Sequence, residues 1–202
     1  CATARHRLIC TQAVDIDKDG HMDLLVANST DDDTAANDTV SWYRNDGATT
    51  PSFGAAQVVD ASFGFKWSKT THPVFATDLD ADGDVDILVA DLEFDLDTDS
   101  STGEGAIYWY ENDGAQTFGD TSRRDVYRPE SQEKAVFALD LDGDGDVDVL
   151  AASFSSTLWW YQNDGAETFA QKSVSGNVFA MAVYAADVDG DANMDVLSAS
   201  LG

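Results

Sequence analysis

One acidic pattern, D-x-D-x-D-G-x-x-D followed at once by a short apolar run, recurs along this chain and limits its fold more than any other feature. It reads DIDKDGHMDLLVA from Asp15, DLDADGDVDILVA from Asp78, DLDGDGDVDVLAA from Asp140 and DVDGDANMDVLSA from Asp187. Such crowding opposes compaction, because two carboxylates about 4 Å apart repel by roughly 4 kcal/mol at an effective dielectric near 20. A loop this dense folds around something that neutralises it, and the candidate is a hard cation.

The repetition governs the fold reading. The first aspartates stand at 15, 78, 140 and 187, so successive copies are 63, 62 and 47 positions apart. In the first three copies an aromatic run and a turn follow, SWYRNDG from Ser41, YWYENDG from Tyr108 and WWYQNDG from Trp159, and then Phe53, Phe118 and Phe169. Each copy reads as four strands: a short one entering the acidic loop, an apolar one leaving it, the aromatic one, and a weaker fourth. Helical periodicity is absent, and Asn-Asp-Gly predicts a tight hairpin between the third and fourth strands. The unequal spacing predicts surface insertions at Asn28–Thr39 and Asp91–Gly105. Small residues recur before the loop (Ala13, Ala76, Ala138, Ala185) and after it (Ala27, Ala90, Ala152, Ala199), as sheets converging on an axis require.

Four-stranded units repeated in this way are the blades of β-propellers. On these motifs the chain resembles the FG-GAP and VCBS repeat families, the blades of integrin α-subunit propellers. FG survives at Phe53-Gly54 and Phe118-Gly119, whereas the third copy has Phe169-Ala170 and no GAP follows. The resemblance implies an all-β, propeller-type array of four-stranded antiparallel blades occupying residues 1–202 as one domain. Its blades are 5–65, 66–129 and 130–176, with half a blade at 177–202.

The loop places side-chain oxygens at positions 1, 3, 5 and 9, a main-chain carbonyl at 7 and glycine at 6, a donor set suited to calcium. The side chains are Asp15, Asp17, Asp19 and Asp23; Asp78, Asp80, Asp82 and Asp86; Asp140, Asp142, Asp144 and Asp148; and Asp187, Asp189, Asp191 and Asp195. The carbonyls are those of His21, Asp84, Asp146 and Asn193. An EF-hand is excluded because position 12 is Val26, Val89, Ala151 or Ser198, where that motif needs an acid. Magnesium keeps more of its water, and transition metals prefer His or Cys. Ala192 replaces the glycine of the fourth loop, which demands either a strained backbone or another turn. About four structural Ca2+ ions are expected.

Among 202 residues, 38 are acidic and only 11 are Lys or Arg, a formal net charge of −27. No basic patch exists to displace counterions from phosphates, which excludes nucleic acid, and anionic membranes repel the chain. No run of 18 apolar residues suits membrane insertion, and the start CATARHRLIC lacks the core of a signal peptide, so the numbering begins at a mature or truncated end. Cys1 and Cys10 are too few for a disulfide framework; a bond between them and two free thiols are both open. Millimolar calcium and the sequons at Asn28 and Asn37, candidate glycosylation sites, point to an extracellular or cell-surface location.

No convergent catalytic set can be assembled, since His6, His21 and His72 sit in unlike contexts and the carboxylates are assigned to ions. The expectation is a non-catalytic, calcium-stabilised adhesion or assembly scaffold, with a glycan-binding module as the alternative because Trp42, Trp109, Trp159 and Trp160 could stack on sugars. Strand alternation assigns those aromatics to packing between blades plus one exposed row. The fourth copy stops after its second strand, leaving an open edge. Further polypeptide beyond Gly202, a protein partner or another copy of the chain is expected to pair there.

Overall fold

A computed structural model describes residues 6–30, 39–61, 74–95, 100–119, 121–127, 133–153, 157–176 and 180–200. Among them there is no α-helix. The first sheet orders β1 (His6–Val14), β2 (Asp23–Thr30), β3 (Thr39–Tyr43) and β4 (Gln57–Asp60). The second has β5 (Val74–Thr77), β6 (Asp86–Asp95), β7 (Ser100–Tyr110) and β8 (Arg123–Tyr127), and the third β9 (Glu133–Leu139), β10 (Asp148–Ser153), β11 (Thr157–Asn163) and β12 (Phe169–Gly176). A two-stranded sheet, β13 (Ala180–Ala186) with β14 (Asp195–Ser200), completes the series. Every pairing is antiparallel between strands adjacent in sequence. The chain is thus an all-β, propeller-type array whose first strands, β1, β5, β9 and β13, are successive neighbours.

Side-chain alternation gives each sheet two apolar faces, and successive sheets stack through them. One face carries the second residue of the apolar run and the following alanine, Leu25 with Ala27, Leu88 with Ala90, and Leu150 with Ala152, all buried. Trp42, Trp109 and Trp160 stand on the same face. The opposite face of the next sheet answers with Val74, Ala76, Ile87, Tyr108 and Tyr110, or with Val136, Ala138, Val149 and Tyr161. Asp60 at the end of β4 pins the first of these contacts, accepting hydrogen bonds from the hydroxyls of Tyr108 (3.1 Å) and Tyr110 (2.8 Å). Leu197, the counterpart of Leu88 in the fourth sheet, is 43% exposed, while Leu88 is 1% exposed. Leu88→Ala is therefore expected to cost about 2–5 kcal/mol in urea unfolding, and Leu197→Ala under about 1 kcal/mol. Equal costs would contradict this stacking.

Three expectations are corrected. Most of the second insertion is strand: β6 runs into it as far as Asp95 and β7 returns from Ser100, a ribbon pairing Asp91 with Ala106 and Asp95 with Ser100, while residues 96–99 lie outside the described residues. Its sequence DLEFDLD alternates acid and apolar residues, the period of a strand. Of the first insertion, residues 31–38 lie outside the described residues, Asn28 lies half-buried on β2 between Leu8 and Thr39, and Thr39 opens β3. The aromatic strands have no exposed row among the described residues. Tyr108, Trp109 and Tyr110 are all buried, because both faces of an inner sheet meet a neighbour.

The strands before the acidic loops lie against one another along the array. Phe75, Phe137 and Tyr184 occupy matched places there and form a row, with ring centroids 4.8 Å and 4.5 Å apart. The first sheet has Gln12 at this place. Its carboxamide donates to the Ala76 carbonyl (3.1 Å) and accepts from the Ala76 N–H (2.8 Å), satisfying the inner edge of β5 as another strand would.

Candidate functional site

Each acidic loop joins the first two strands of a sheet and is held by its own aspartates. The position 1 carboxylate accepts from main-chain N–H groups across the turn. Asp15 takes Asp19 (3.1 Å) and Gly20 (2.9 Å), Asp78 takes Gly83 (3.0 Å), and Asp140 takes Gly143 (2.7 Å), Asp144 and Gly145. Asp187 takes Gly190 (2.7 Å), Asp191 and Ala192. The position 5 carboxylates of Asp19, Asp82, Asp144 and Asp191 each accept from the N–H two residues on. Wrapping the chain this tightly takes two left-handed residues per loop, at positions 4 and 6. Position 4 is Lys18, Ala81, Gly143 or Gly190, with φ from 58° to 80°; position 6 is Gly20, Gly83, Gly145 or Ala192, with φ from 70° to 98°.

Ala192 keeps the common turn at φ 70°, so the fourth loop takes the strained alternative. A left-handed alanine costs about 1–2 kcal/mol, partly offset by the larger entropy a glycine loses on folding. Ala192→Gly is expected to raise the unfolding free energy by about 0.5–1 kcal/mol in thermal or urea melts.

Position 9 differs in kind from the others. Asp23, Asp86 and Asp148 are buried, and each carboxylate accepts two main-chain N–H groups from separate segments. One comes from the start of the loop, Ile16 (3.0 Å), Leu79 (2.8 Å) or Leu141 (3.2 Å). The other comes from the asparagine of Asn-Asp-Gly, Asn45 (2.8 Å), Asn112 (2.9 Å) or Asn163 (2.8 Å). Those asparagines also donate from their carboxamides to the carbonyls of Met22, Val85 and Val147. Asn-Asp-Gly is thus a clamp on the acidic loop. The tight hairpin expected of it does not form in the first two sheets, where the strands it links end at Tyr43 and Tyr110 and resume at Gln57 and Arg123. Its glycines are required twice, by φ of 65° to 78° and by the position 7 side chain lying against them. A Cβ at Gly47 would lie 2.2 Å from His21 Nε2, one at Gly114 2.9 Å from Asp84 and one at Gly165 2.6 Å from Asp146.

The carboxylates converge. In the second, third and fourth loops, positions 1, 3 and 9 offer oxygens within 4.8 Å of one another: Asp78, Asp80 and Asp86; Asp140, Asp142 and Asp148; Asp187, Asp189 and Asp195. In the first loop the group is Asp15, Asp17 and Asp19, with Asp23 outside it. These clusters can hold metal ions. Asp78 Oδ1 is buried without a hydrogen-bond partner, which fits a cation as its missing ligand. Burial pushes the Asp86 carboxyl up to about 7, with Asp80 and Asp82 adding to the effect and the N–H groups of Asn112 and Leu79 opposing it. Burial likewise raises Asp80 and Asp148. A cation beside these carboxylates would favour their charged forms, the reverse of what burial does. An all-oxygen set of this kind suits a hard ion.

Arg44 also entered the site unannounced by the motif. It precedes Asn-Asp-Gly, and its guanidinium pairs with Asp17 (2.5 Å) and Asp19 (2.9 Å). Glu111 and Gln162 occupy the same place in the next two repeats; Gln162 donates to Asp142 at 2.5 Å, and Glu111 pairs with Arg124. Lys18 reaches from the first loop to Asp84 of the second at 2.5 Å. Of the proposed glycosylation sites, Asn28 is the half-buried strand residue noted above, and Asn37 lies outside the described residues, as do Cys1 and His72.

The chain matches the FG-GAP-like repeat description three times, over residues 15–89, 78–151 and 140–198. Each match starts at the first aspartate of one loop and runs into the apolar strand of the next. A comparison with curated proteins gives no match. Among solved structures, an Agrocybe aegerita lectin studied for its specific recognition of non-reducing terminal N-acetylglucosamine superposes with a TM-score of 0.60 at 22% identity. The likeness takes in 96% of this chain and 46% of the lectin chain, so this chain spans about half the length of that neighbour, and at this identity what is shared is the fold.

Proposed function

The chain belongs to the FG-GAP-like repeat family, and from that premise we propose that it is a calcium-stabilised, non-catalytic scaffold that works outside the cell in protein–protein contact or assembly. The observation that carries this reading is the convergence of three aspartate oxygens within 4.8 Å in each of four loops, beside a buried unpartnered oxygen of Asp78. Six to eight oxygen ligands at 2.3–2.6 Å is calcium's preference, and sites of modest affinity fill at the calcium levels found outside cells. The contact function draws support from the fourth sheet, where Tyr184 (56%), Val188 (64%) and Leu197 (43%) are exposed. The counterparts of Val188 and Leu197 in the second repeat, Leu79 and Leu88, are buried between sheets, and Phe75, the counterpart of Tyr184, is half-buried. Calcium and magnesium titrations by calorimetry test the ion. Light scattering in calcium and in EDTA tests assembly, and a monomer in both conditions argues against it.

A glycan-binding reading has one observation in its favour. Asp19, Arg44, Asn45, Asp46, Ser52, Phe53 and Gly54 line a notch in which Phe53 is 49% exposed, so an aromatic face lies beside hydrogen-bonding groups. The tryptophans give it less support, since Trp42 and Trp109 are buried and Trp159 and Trp160 are half-buried against the apolar clusters between sheets. Titration with N-acetylglucosamine and a glycan panel, comparing Phe53→Ala with the parent, separates this reading from the first.

A further inference from the structure

The four loops share a pattern but not an electrostatic setting. Within the first loop stand four aspartates and Lys18, and Arg44 lies across it with its guanidinium on Asp17 and Asp19. The third loop has five aspartates, and Gln162 occupies the matched place with its carboxamide on Asp142. Lys172, on the neighbouring strand β12, donates to the side-chain Oε1 of Gln162. The carboxylate groupings differ accordingly. Positions 1, 3 and 9 converge in the third loop, whereas in the first it is positions 1, 3 and 5, and the two aspartates that Arg44 holds are the ones at 3 and 5.

We infer that Arg44 is a resident counter-ion of the first loop, so that this loop binds its metal ion about tenfold more weakly than the third, where Gln162 stands in its place. The inference rests on the proposal that calcium occupies these loops. A guanidinium remains charged at every working pH and is only weakly hydrated, so it can stay on a pair of carboxylates that a hydrated ion must otherwise claim. To bind, a divalent ion must displace two ion pairs and tolerate a like charge at the rim. In the third loop it displaces one neutral donor. The residue before Asn-Asp-Gly, which the repeat pattern leaves free to vary, thereby sets the difference in affinity between the first and third loops, and the first loop keeps its turn in calcium-poor surroundings.

The glycine at position 6 supplies a separate reporter for each loop. The N–H of Gly20 donates to Asp15 at 2.9 Å and that of Gly145 to Asp140 at 3.0 Å, so both amides register an ion on the position 1 carboxylate. Calcium is titrated into the whole 15N-labelled chain and these two amide resonances are followed, in the parent and in Arg44→Gln and Gln162→Arg. The expected result is a midpoint for Gly20 at about ten times the free calcium needed for Gly145. Arg44→Gln should bring the Gly20 midpoint down to near that of Gly145, and Gln162→Arg should move Gly145 up by a similar factor. Coincident midpoints that neither substitution moves would overturn the role of Arg44 while leaving calcium binding intact. If neither amide responds to calcium, the calcium reading itself fails and the inference goes with it.

Discussion

Removing calcium with EDTA is expected to lower the melting temperature of this protein by roughly 10–20 °C. A site with a Kd ten times below the free calcium concentration stabilises the folded state by about 1.4 kcal/mol, so three such sites with a tenfold weaker first loop contribute about 4–5 kcal/mol. For a chain of this size each kcal/mol moves the melting point by about 2–4 °C. The loss should be graded across the loops. Asp142→Ala removes a position 3 ligand from the third loop and should cost about one site's share in calcium, with little cost in EDTA. Asp17→Ala should cost less, because Arg44 already compensates that carboxylate. Scanning calorimetry of the parent with and without calcium is the direct measurement, and superimposable traces would rule out a structural ion.

Much of this architecture is legible in the sequence because repetition multiplies weak signals. One Asp-Gly turn says little, but four copies of the acidic loop, each entering an apolar strand, establish strand order and antiparallel pairing. Long-range charge placement was not legible. Arg44 lies just past the end of the aromatic strand, before Asn-Asp-Gly, and only the pairing of β2 with β3 brings it over Asp17 and Asp19. The left-handed residues at position 4 were missed for another reason. Lys18 and Ala81 give no sign of a positive φ, and the glycines Gly143 and Gly190 at the matched places were the available hint. Asn-Asp-Gly misled because its composition suits a two-residue hairpin, yet the main-chain and side-chain amides of Asn45, Asn112 and Asn163 are committed to the acidic loop. The recurrence of a full asparagine in three of three such turns was the signal that could have revealed the clamp.

The same clamp separates two roles that the sequence pattern merges. Asp86 and Asp82 both belong to the second loop's carboxylate set, but Asp82 is exposed and accepts one N–H, from Asp84 at 2.7 Å. Asp86 is 1% exposed and joins the N–H of Leu79 to that of Asn112, two groups from segments that have no other shared acceptor in the hydrogen bonds described above. Replacing Asp86 with alanine strands two buried donors, each costing about 1–3 kcal/mol, so Asp86→Ala should lose about 2–6 kcal/mol in urea unfolding whether calcium or EDTA is present. Asp82→Ala should lose about 1.4 kcal/mol in calcium and under about 0.5 kcal/mol in EDTA, where only an exposed hydrogen bond is gone. Asp86→Asn retains one oxygen acceptor and should recover part of the loss in EDTA without restoring the ion. Were Asp86→Ala and Asp82→Ala to behave alike in EDTA, position 9 would be a ligand of the same kind as position 5, and the buried carboxylate would have no structural role apart from its cation.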